Sequence, residues 1–111
     1  MTLSEKQQKF AVYVAKLILY AESIGYAVTF GEALRTIEQQ KLYVQQGKSK
    51  TLASKHLDRL AVDLNLFIEG EYKTDKASYI KLGAYWKYLD VENVWGGDFS
   101  FGDANHFQYT K

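Results

Sequence analysis

The segment that most constrains the fold lies in the middle of the chain, at residues 61–68. Its residues alternate between two faces, and one face is entirely apolar: Val62, Leu64, Leu66 and Ile68. Such alternation is typical of a β-strand with one side in a hydrophobic core. The other face carries Asp63, which the alternation therefore points away from the core, toward whatever lies above the sheet.

Besides this strand, the sequence predicts three helices. Apolar residues recur at helical spacing in residues 4–24, where Ser4 can cap the start and Gly25 ends the run. A short helix is predicted over residues 36–46, closed by Gly47, and a third over residues 76–89.

Two more strands and a turn complete the prediction. Residues 26–30 are rich in β-branched and aromatic side chains, residues 69–72 form a turn, and a Gly-containing loop from Trp95 leads into a last strand at residues 106–109. The order α-β-α-β-α-β favours an α+β fold with a small, mainly antiparallel sheet and helices packed on it. The pattern alone leaves parallel strands with crossover helices open.

Composition narrows the possible functions. The chain has 111 residues, 47% hydrophobic and 24% charged, as expected of one globular domain over residues 1–111. A net charge of +1 gives no basic face for nucleic acid. No cysteine is present, which excludes disulfides and thiolate catalysis and leaves only nitrogen and oxygen ligands for a metal.

The expected cellular location of the protein follows from the hydropathy of its sequence. No run of 18 apolar residues exists, so no stable membrane insertion is expected. The polar amino terminus lacks the apolar region of a signal peptide. We expect a monomer made and kept in a cytoplasm until something else releases it.

The chain has only two histidines, and both lie in polar segments that also contain aspartates. Three imidazole or carboxylate ligands with a fourth position left to water are the set that a catalytic zinc prefers. His56, Asp63 and His106 would supply that set, with Asp103 nearby to move a proton. Taken singly, each has an ordinary alternative: His56 as a surface histidine, Asp63 as a solvated strand residue, and Asp103 as a turn former.

Two compound motifs give these residues more weight. The first is Ser-x-His followed by Ala-x-Asp, at Ser54, His56, Ala61 and Asp63. The second is Trp-Gly-Gly-Asp followed by Asp-x-x-His, at Trp95, Gly96, Gly97, Asp98, Asp103 and His106. Upstream stand Arg-Thr-x-Glu-Gln at residues 35–39 and Gly-x-Ser-x-Thr at residues 47–51.

In this order the motifs resemble the zinc peptidases of bacterial peptidoglycan, over roughly residues 34–109. That family includes D-Ala-D-Ala dipeptidases and carboxypeptidases and phage L-alanyl-D-glutamate endolysins, and it shares the Hedgehog/DD-peptidase fold. One departure is that the family's glycine in the first motif is Arg59 here. Because glycine there usually serves a tight turn, the loop after His56 is expected to be shaped differently.

The resemblance implies a role for each matched residue. The zinc ligands would be His56, Asp63 and His106. Asp103 would be the general base, and Arg35 would stabilise charge in the tetrahedral intermediate, although a salt bridge to Glu32 or Glu38 is its ordinary alternative. Ser49 and Ser54 would bind substrate or support the ligands.

The predicted function is a Zn²⁺ metallopeptidase that hydrolyses peptidoglycan stem peptides, as a phage or prophage endolysin of the L-alanyl-D-glutamate endopeptidase type. It would be made in the cytoplasm of the infected or lysogenic bacterium and act on the cell wall after release. Two alternatives stay open: a D-Ala-D-Ala carboxypeptidase, and a non-catalytic virion or binding protein that retains the fold.

Overall fold

The computed structural model of the chain describes residues 1–31 and 58–110. The helix predicted at residues 36–46 lies outside these residues. In chain order, the described elements are α1 (Leu3–Ser23), β1 (Tyr26–Phe30), β2 (Ala61–Ile68), β3 (Glu71–Lys73), α2 (Lys76–Leu89), β4 (Asn93–Trp95), a 3₁₀ turn (Gly96–Asp98) and β5 (His106–Tyr109). Neither of the two helices described is long and apolar enough to cross a membrane.

The strands form one sheet in the order β1-β2-β5-β4, with β3 paired to β2 beyond the end of β5. Every pairing among the described strands is antiparallel, which confirms the predicted sheet and excludes the parallel alternative for them. The three-residue strands β3 and β4 were not predicted, because three residues are too few to show a period. At the β2–β3 turn, Glu69 and Gly70 have φ values of 53° and 78°, as a two-residue hairpin requires.

The core lies between the sheet and the two helices. On β2 the apolar face is buried as the alternation predicts, with Leu64 and Leu66 fully covered. Trp86 of α2 is at the centre, fully buried, with its ring edge-to-face against Phe10 and Phe107. Its indole N–H donates to the carbonyls of Val94 and Gln108 at 3.1 and 3.0 Å, so the helix is tied to both β4 and β5.

The start of α1 differs from the prediction. Thr2, not Ser4, is the N-cap, and its hydroxyl accepts from the N–H of Glu5 at 3.1 Å while the Glu5 carboxylate accepts from the N–H of Thr2 at 3.0 Å. This reciprocal capping box satisfies two otherwise unpaired donors. Ser4 also has a suitable partner three residues later, Gln7, but the Gln7 side-chain amide donates to the Asp58 carbonyl at 2.8 Å and does not take part in a capping box.

Tyr79 of α2 closes a gap in the sheet. The edge of β2 that pairs with β5 at its start pairs with β3 at its end, and the Leu64 carbonyl and the Leu66 N–H lie where one partner strand gives way to the other. The Tyr79 hydroxyl donates to the Leu64 carbonyl at 3.0 Å and accepts the Leu66 N–H at 3.1 Å. Burial raises the pKa of Tyr79 to about 12, so the hydroxyl keeps its proton and continues to donate.

Arg59, where the resembled motif has glycine, adopts a backbone conformation that favours glycine. Its φ is 56°, in the left-handed region that glycine adopts without steric cost. Whether the loop after His56 is shaped differently from that of the family stays a prediction, since most of that loop lies outside the described residues. An L-residue in this conformation costs roughly 1–2 kcal/mol.

We expect Arg59→Gly to raise the free energy of unfolding by about 1 kcal/mol, since it removes that steric cost while adding some unfolded-state entropy. Urea denaturation of the two proteins measures the difference. Arg59→Ala is the matched control, because it removes the same side chain but retains a Cβ and should give little gain. An equal gain in both variants would show that the side chain, and not the backbone, is responsible.

Candidate metal centre

Strand register brings the first two polar residues together. Asp63 of β2 lies directly opposite His106 of β5. Backbone hydrogen bonds join Leu64 to Asn105 and Leu60 to Tyr109 across the same two strands. Asp63 and His106 are therefore a non-hydrogen-bonded pair, the kind in which facing side chains are closest. Both lie on the face of the sheet opposite Val62 and Phe107, which are buried in the core.

Asp103 joins this pair from the preceding loop. Its N–H donates to the Gly96 carbonyl at 2.9 Å, and its own carbonyl accepts the His106 N–H at 3.1 Å. The imidazole Nδ1 of His106 is 3.4 Å from Asp63 Oδ1 and 4.0 Å from Asp103 Oδ2. One ligand atom from each of the three residues lies within 4.8 Å of the other two.

Two glycines are needed for this loop to approach the sheet. A Cβ on Gly96 would overlap the Asp103 carbonyl and the His106 Cβ, and a Cβ on Gly97 would overlap the Trp95 ring. Trp95 also covers Gly83 of α2, where a Cβ would again meet the ring. The Trp95 indole N–H donates to the Ala104 carbonyl at 2.7 Å. The Trp-Gly-Gly motif thus fixes the loop that presents Asp103.

The charges around His106 set its protonation. Burial by itself lowers the pKa of this imidazole, but the hydrogen bonds to Asp63 and Gln108 and the negative charges of Asp63 and Asp103 outweigh it, so the pKa is raised. When the ring is protonated, its positive charge offsets the repulsion between the two carboxylates. A divalent cation would serve the same purpose, with the imidazole neutral.

Exposure distinguishes the three side chains. Those of His106 and Asp63 are 9% and 19% exposed, whereas that of Asp103 is 44% exposed. Asp103 is also the more distant carboxylate from the imidazole. The less exposed pair, His106 and Asp63, is suited to bind a metal. The more accessible carboxylate of Asp103 is suited to exchange protons with a bound substrate. The imidazole of His106 and the carboxylate of Asp63 are both ligand types that zinc accepts.

A pocket of about 240 Å³ opens next to Asp103. It lies where β3 and the β5 loop diverge along β2. Its walls are Tyr72, Thr74, Tyr79, Gly102, Asp103, Ala104 and Asn105. Among the described residues, Asp103 alone belongs to both the pocket wall and the cluster with His106, so a molecule in this pocket would lie beside the candidate metal position.

Of the predicted site residues, the structure brings together Asp63, Asp103 and His106. The others, Arg35, Ser49, Ser54 and His56, lie outside the described residues. Asp98 of the second motif is not part of the cluster and pairs instead with Lys87, at 2.7 Å. The prediction missed Gln108, whose side-chain oxygen is 2.6 Å from His106 Nε2. Alternation in β5 could have indicated it, because residues two apart share a face.

Comparison with known proteins gives a family and a group of related folds. Residues 47–109 match the D-alanyl-D-alanine carboxypeptidase family, peptidase M15. The L-alanyl-D-glutamate peptidase of Listeria phage A118 is 39% identical over 101 residues, which are 86% of this chain and 34% of that protein. The chain thus spans about a third of the length of this relative.

Solved structures agree with the fold. The L-Ala D-Glu endopeptidase ChiX of Serratia marcescens superimposes with a TM-score of 0.67 at 29% identity, covering 76% of this chain and 67% of that one. The vancomycin-resistance D,D-pentapeptidase VanY, solved with Zn(II), gives a TM-score of 0.61 at 20% identity, covering 93% and 71%. The predicted resemblance and fold class are both confirmed, and the chain belongs to the D-alanyl-D-alanine carboxypeptidase family of peptidases.

Proposed function

We propose that this chain is a zinc-dependent peptidase that hydrolyses peptidoglycan stem peptides, with the L-alanyl-D-glutamate bond as its target. The observation that carries the proposal is the convergence of Asp63, Asp103 and His106 within 4.8 Å, beside an open pocket. Family membership supplies the reaction class. The peptidases from the Listeria phage and from Serratia, at 39% and 29% identity, are both named for the same bond.

The metal would be held by Asp63 and His106, with His56 as the proposed third ligand from the first motif. A bound zinc ion lowers the pKa of a coordinated water to about 7 and polarises a carbonyl group. Asp63 is suited to the ligand role because it is half-buried beside the imidazole and is positioned by β2, the longest strand among the described residues.

Asp103 would act as general base and then as general acid. Its carboxylate lies between the cluster and the pocket, where it can accept a proton from the attacking water and return it to the leaving amine. Arg35 would stabilise negative charge on the carbonyl oxygen during attack, and Ser49 and Ser54 would contact the substrate or the ligands. These last three roles are carried over from the matched motifs.

A D-Ala-D-Ala carboxypeptidase is the second candidate, because the matched family is described by that activity. The endopeptidase is favoured since the D,D-peptidase VanY is less similar in sequence than the two L-Ala-D-Glu enzymes. A non-catalytic virion or binding role would leave the accessible carboxylate of Asp103 beside the ligand pair without a purpose. The phage origin of one relative supports a protein made in the bacterial cytoplasm that reaches the wall after release.

The test is digestion of purified muropeptides by the zinc-loaded chain, followed by mass spectrometry of the products. We expect cleavage between L-Ala and D-Glu, loss of cleavage with a chelator, and recovery on adding zinc. Release of D-Ala alone would replace the proposal with the carboxypeptidase. No cleavage at any zinc concentration, in a protein shown to be folded, would reject the peptidase function.

A further inference from the structure

We propose that Gln108 is a positioning residue, which holds the His106 imidazole in the tautomer that presents Nδ1 to the metal. The inference deepens the proposed function, because it assigns the ligating atom of one proposed zinc ligand. Gln108 lies two residues after His106 on β5 and so shares its face of the sheet. It belongs to neither sequence motif.

The contact between the Gln108 side chain and Thr110 shows which atom of the amide faces His106. The side-chain nitrogen donates to the Thr110 carbonyl at 3.0 Å, and a carbonyl oxygen can only accept a hydrogen bond. The amide oxygen must then be the atom that faces His106 Nε2, at 2.6 Å. Because an amide oxygen also only accepts, Nε2 has to carry a hydrogen.

This fixes the other ring nitrogen. A neutral imidazole carries one hydrogen, so with Nε2 protonated the lone pair is on Nδ1. Nδ1 is the nitrogen that faces Asp63 and Asp103. The opposite tautomer would place two lone pairs against each other at Gln108 and put an N–H where the cation should bind. A hydrogen bond from the remote ring nitrogen is how ligating histidines are usually oriented.

The fold holds Gln108 from two sides. Its backbone carbonyl accepts from the buried indole of Trp86, at 3.0 Å. At the end of β5, Thr110 adopts a φ of 71°, unusual for a β-branched residue, and its N–H donates to the Glu92 carbonyl at 3.0 Å. Across the strands Gln108 faces Ala61, whose small side chain leaves room for the amide. The Gln108 side-chain oxygen, which accepts from His106, is therefore held in place by the sheet.

The test compares Gln108→Met, which has a similar length without a strong acceptor, with Gln108→Glu, which retains an oxygen that accepts. We expect Gln108→Met to weaken zinc binding about 10–100-fold, measured by competition with a chromogenic chelator, and Gln108→Glu to stay within a few-fold of the unmodified chain. The control is Gln8→Met, a substitution at an exposed glutamine of α1. Thermal unfolding establishes that each variant is folded.

The second readout needs no metal. Long-range ¹H–¹⁵N NMR of the metal-free chain at alkaline pH, where the imidazole is neutral, reports which ring nitrogen is protonated, and a His56→Gln variant identifies the His106 signals. We expect Nε2–H in the unmodified chain and in Gln108→Glu, and a mixture of tautomers in Gln108→Met.

The inference is overturned if the unmodified chain shows Nδ1–H, or if Gln108→Met changes neither tautomer nor affinity. A chain that has the expected tautomer but binds no zinc would reject the proposed function while leaving the hydrogen-bond assignment intact.

Discussion

Replacing Asp103 with alanine should lower the rate of stem-peptide hydrolysis by about 10²–10⁴-fold, the usual contribution of a general base. Zinc content should stay at one ion per chain, because the proposed ligands are Asp63, His106 and His56. The separation of roles follows from the greater exposure of Asp103 and its longer distance from the imidazole. Muropeptide turnover and metal analysis of the same sample measure the two quantities.

The matched control is Asp98→Ala, in the same loop. Asp98 has nearly the same exposure as Asp103, but its carboxylate pairs with Lys87 and lies outside the cluster. Its removal should leave turnover nearly unchanged, since an exposed ion pair contributes little to stability. If Asp103→Ala lost the metal along with activity, Asp103 would be a ligand, and the division of roles made here would be wrong.

Replacing Gly96 with alanine should both destabilise the protein and disrupt the metal centre. The new methyl group would occupy space taken by the Asp103 carbonyl and the His106 Cβ, and overpacking of this kind costs about 1–3 kcal/mol or more. We expect the Tm to fall by about 10 °C. Zinc affinity should fall as well, because the displaced atoms are those of the loop and strand that form the site. Calorimetry and chelator competition measure the two effects.

Gly70→Ala separates the local clash from the general cost of substituting a glycine. Gly70 has a φ of 78° in the β2–β3 turn, and no atom of the described part of the chain lies within 4 Å of the position of an added Cβ. This variant should lose about 1 kcal/mol from backbone strain alone and retain its zinc affinity. Equal losses of zinc affinity in both variants would show that Gly96 has no specific role in the site.

The longer elements could be predicted because their patterns are long enough to show a period. Strand β2 and helix α2 have the predicted bounds, and β1 and β5 were recognised from their β-branched and aromatic residues or from their place after a loop. Strands β3 and β4 exist because longer neighbours offer them a free edge. These strands therefore depend on tertiary contacts, which no local sequence pattern can indicate.

The site was only partly predictable for a similar reason. The motifs indicated Asp63, Asp103 and His106 because the chemistry of metal ligation restricts residue type. The motifs named Gly96 without explaining it, since the overlap that excludes a side chain involves the distant Asp103 carbonyl. Gln108 was missed because glutamine is not among the usual zinc ligands, and its proposed role depends on the Thr110 carbonyl, at a residue whose φ of 71° no local pattern predicts.

Pairing between β2 and β5 has a consequence for how such a domain can change over evolution. Val62 and Asp63 are adjacent on β2, as are Phe107 and His106 on β5, and in each pair one side chain enters the core while the other faces the candidate metal position. Inserting or deleting a single residue in either strand would invert both faces at once. Selection that keeps the hydrophobic core intact therefore also keeps the candidate ligands on the opposite face of the sheet. Insertions and deletions should accumulate in the loops and not in these two strands.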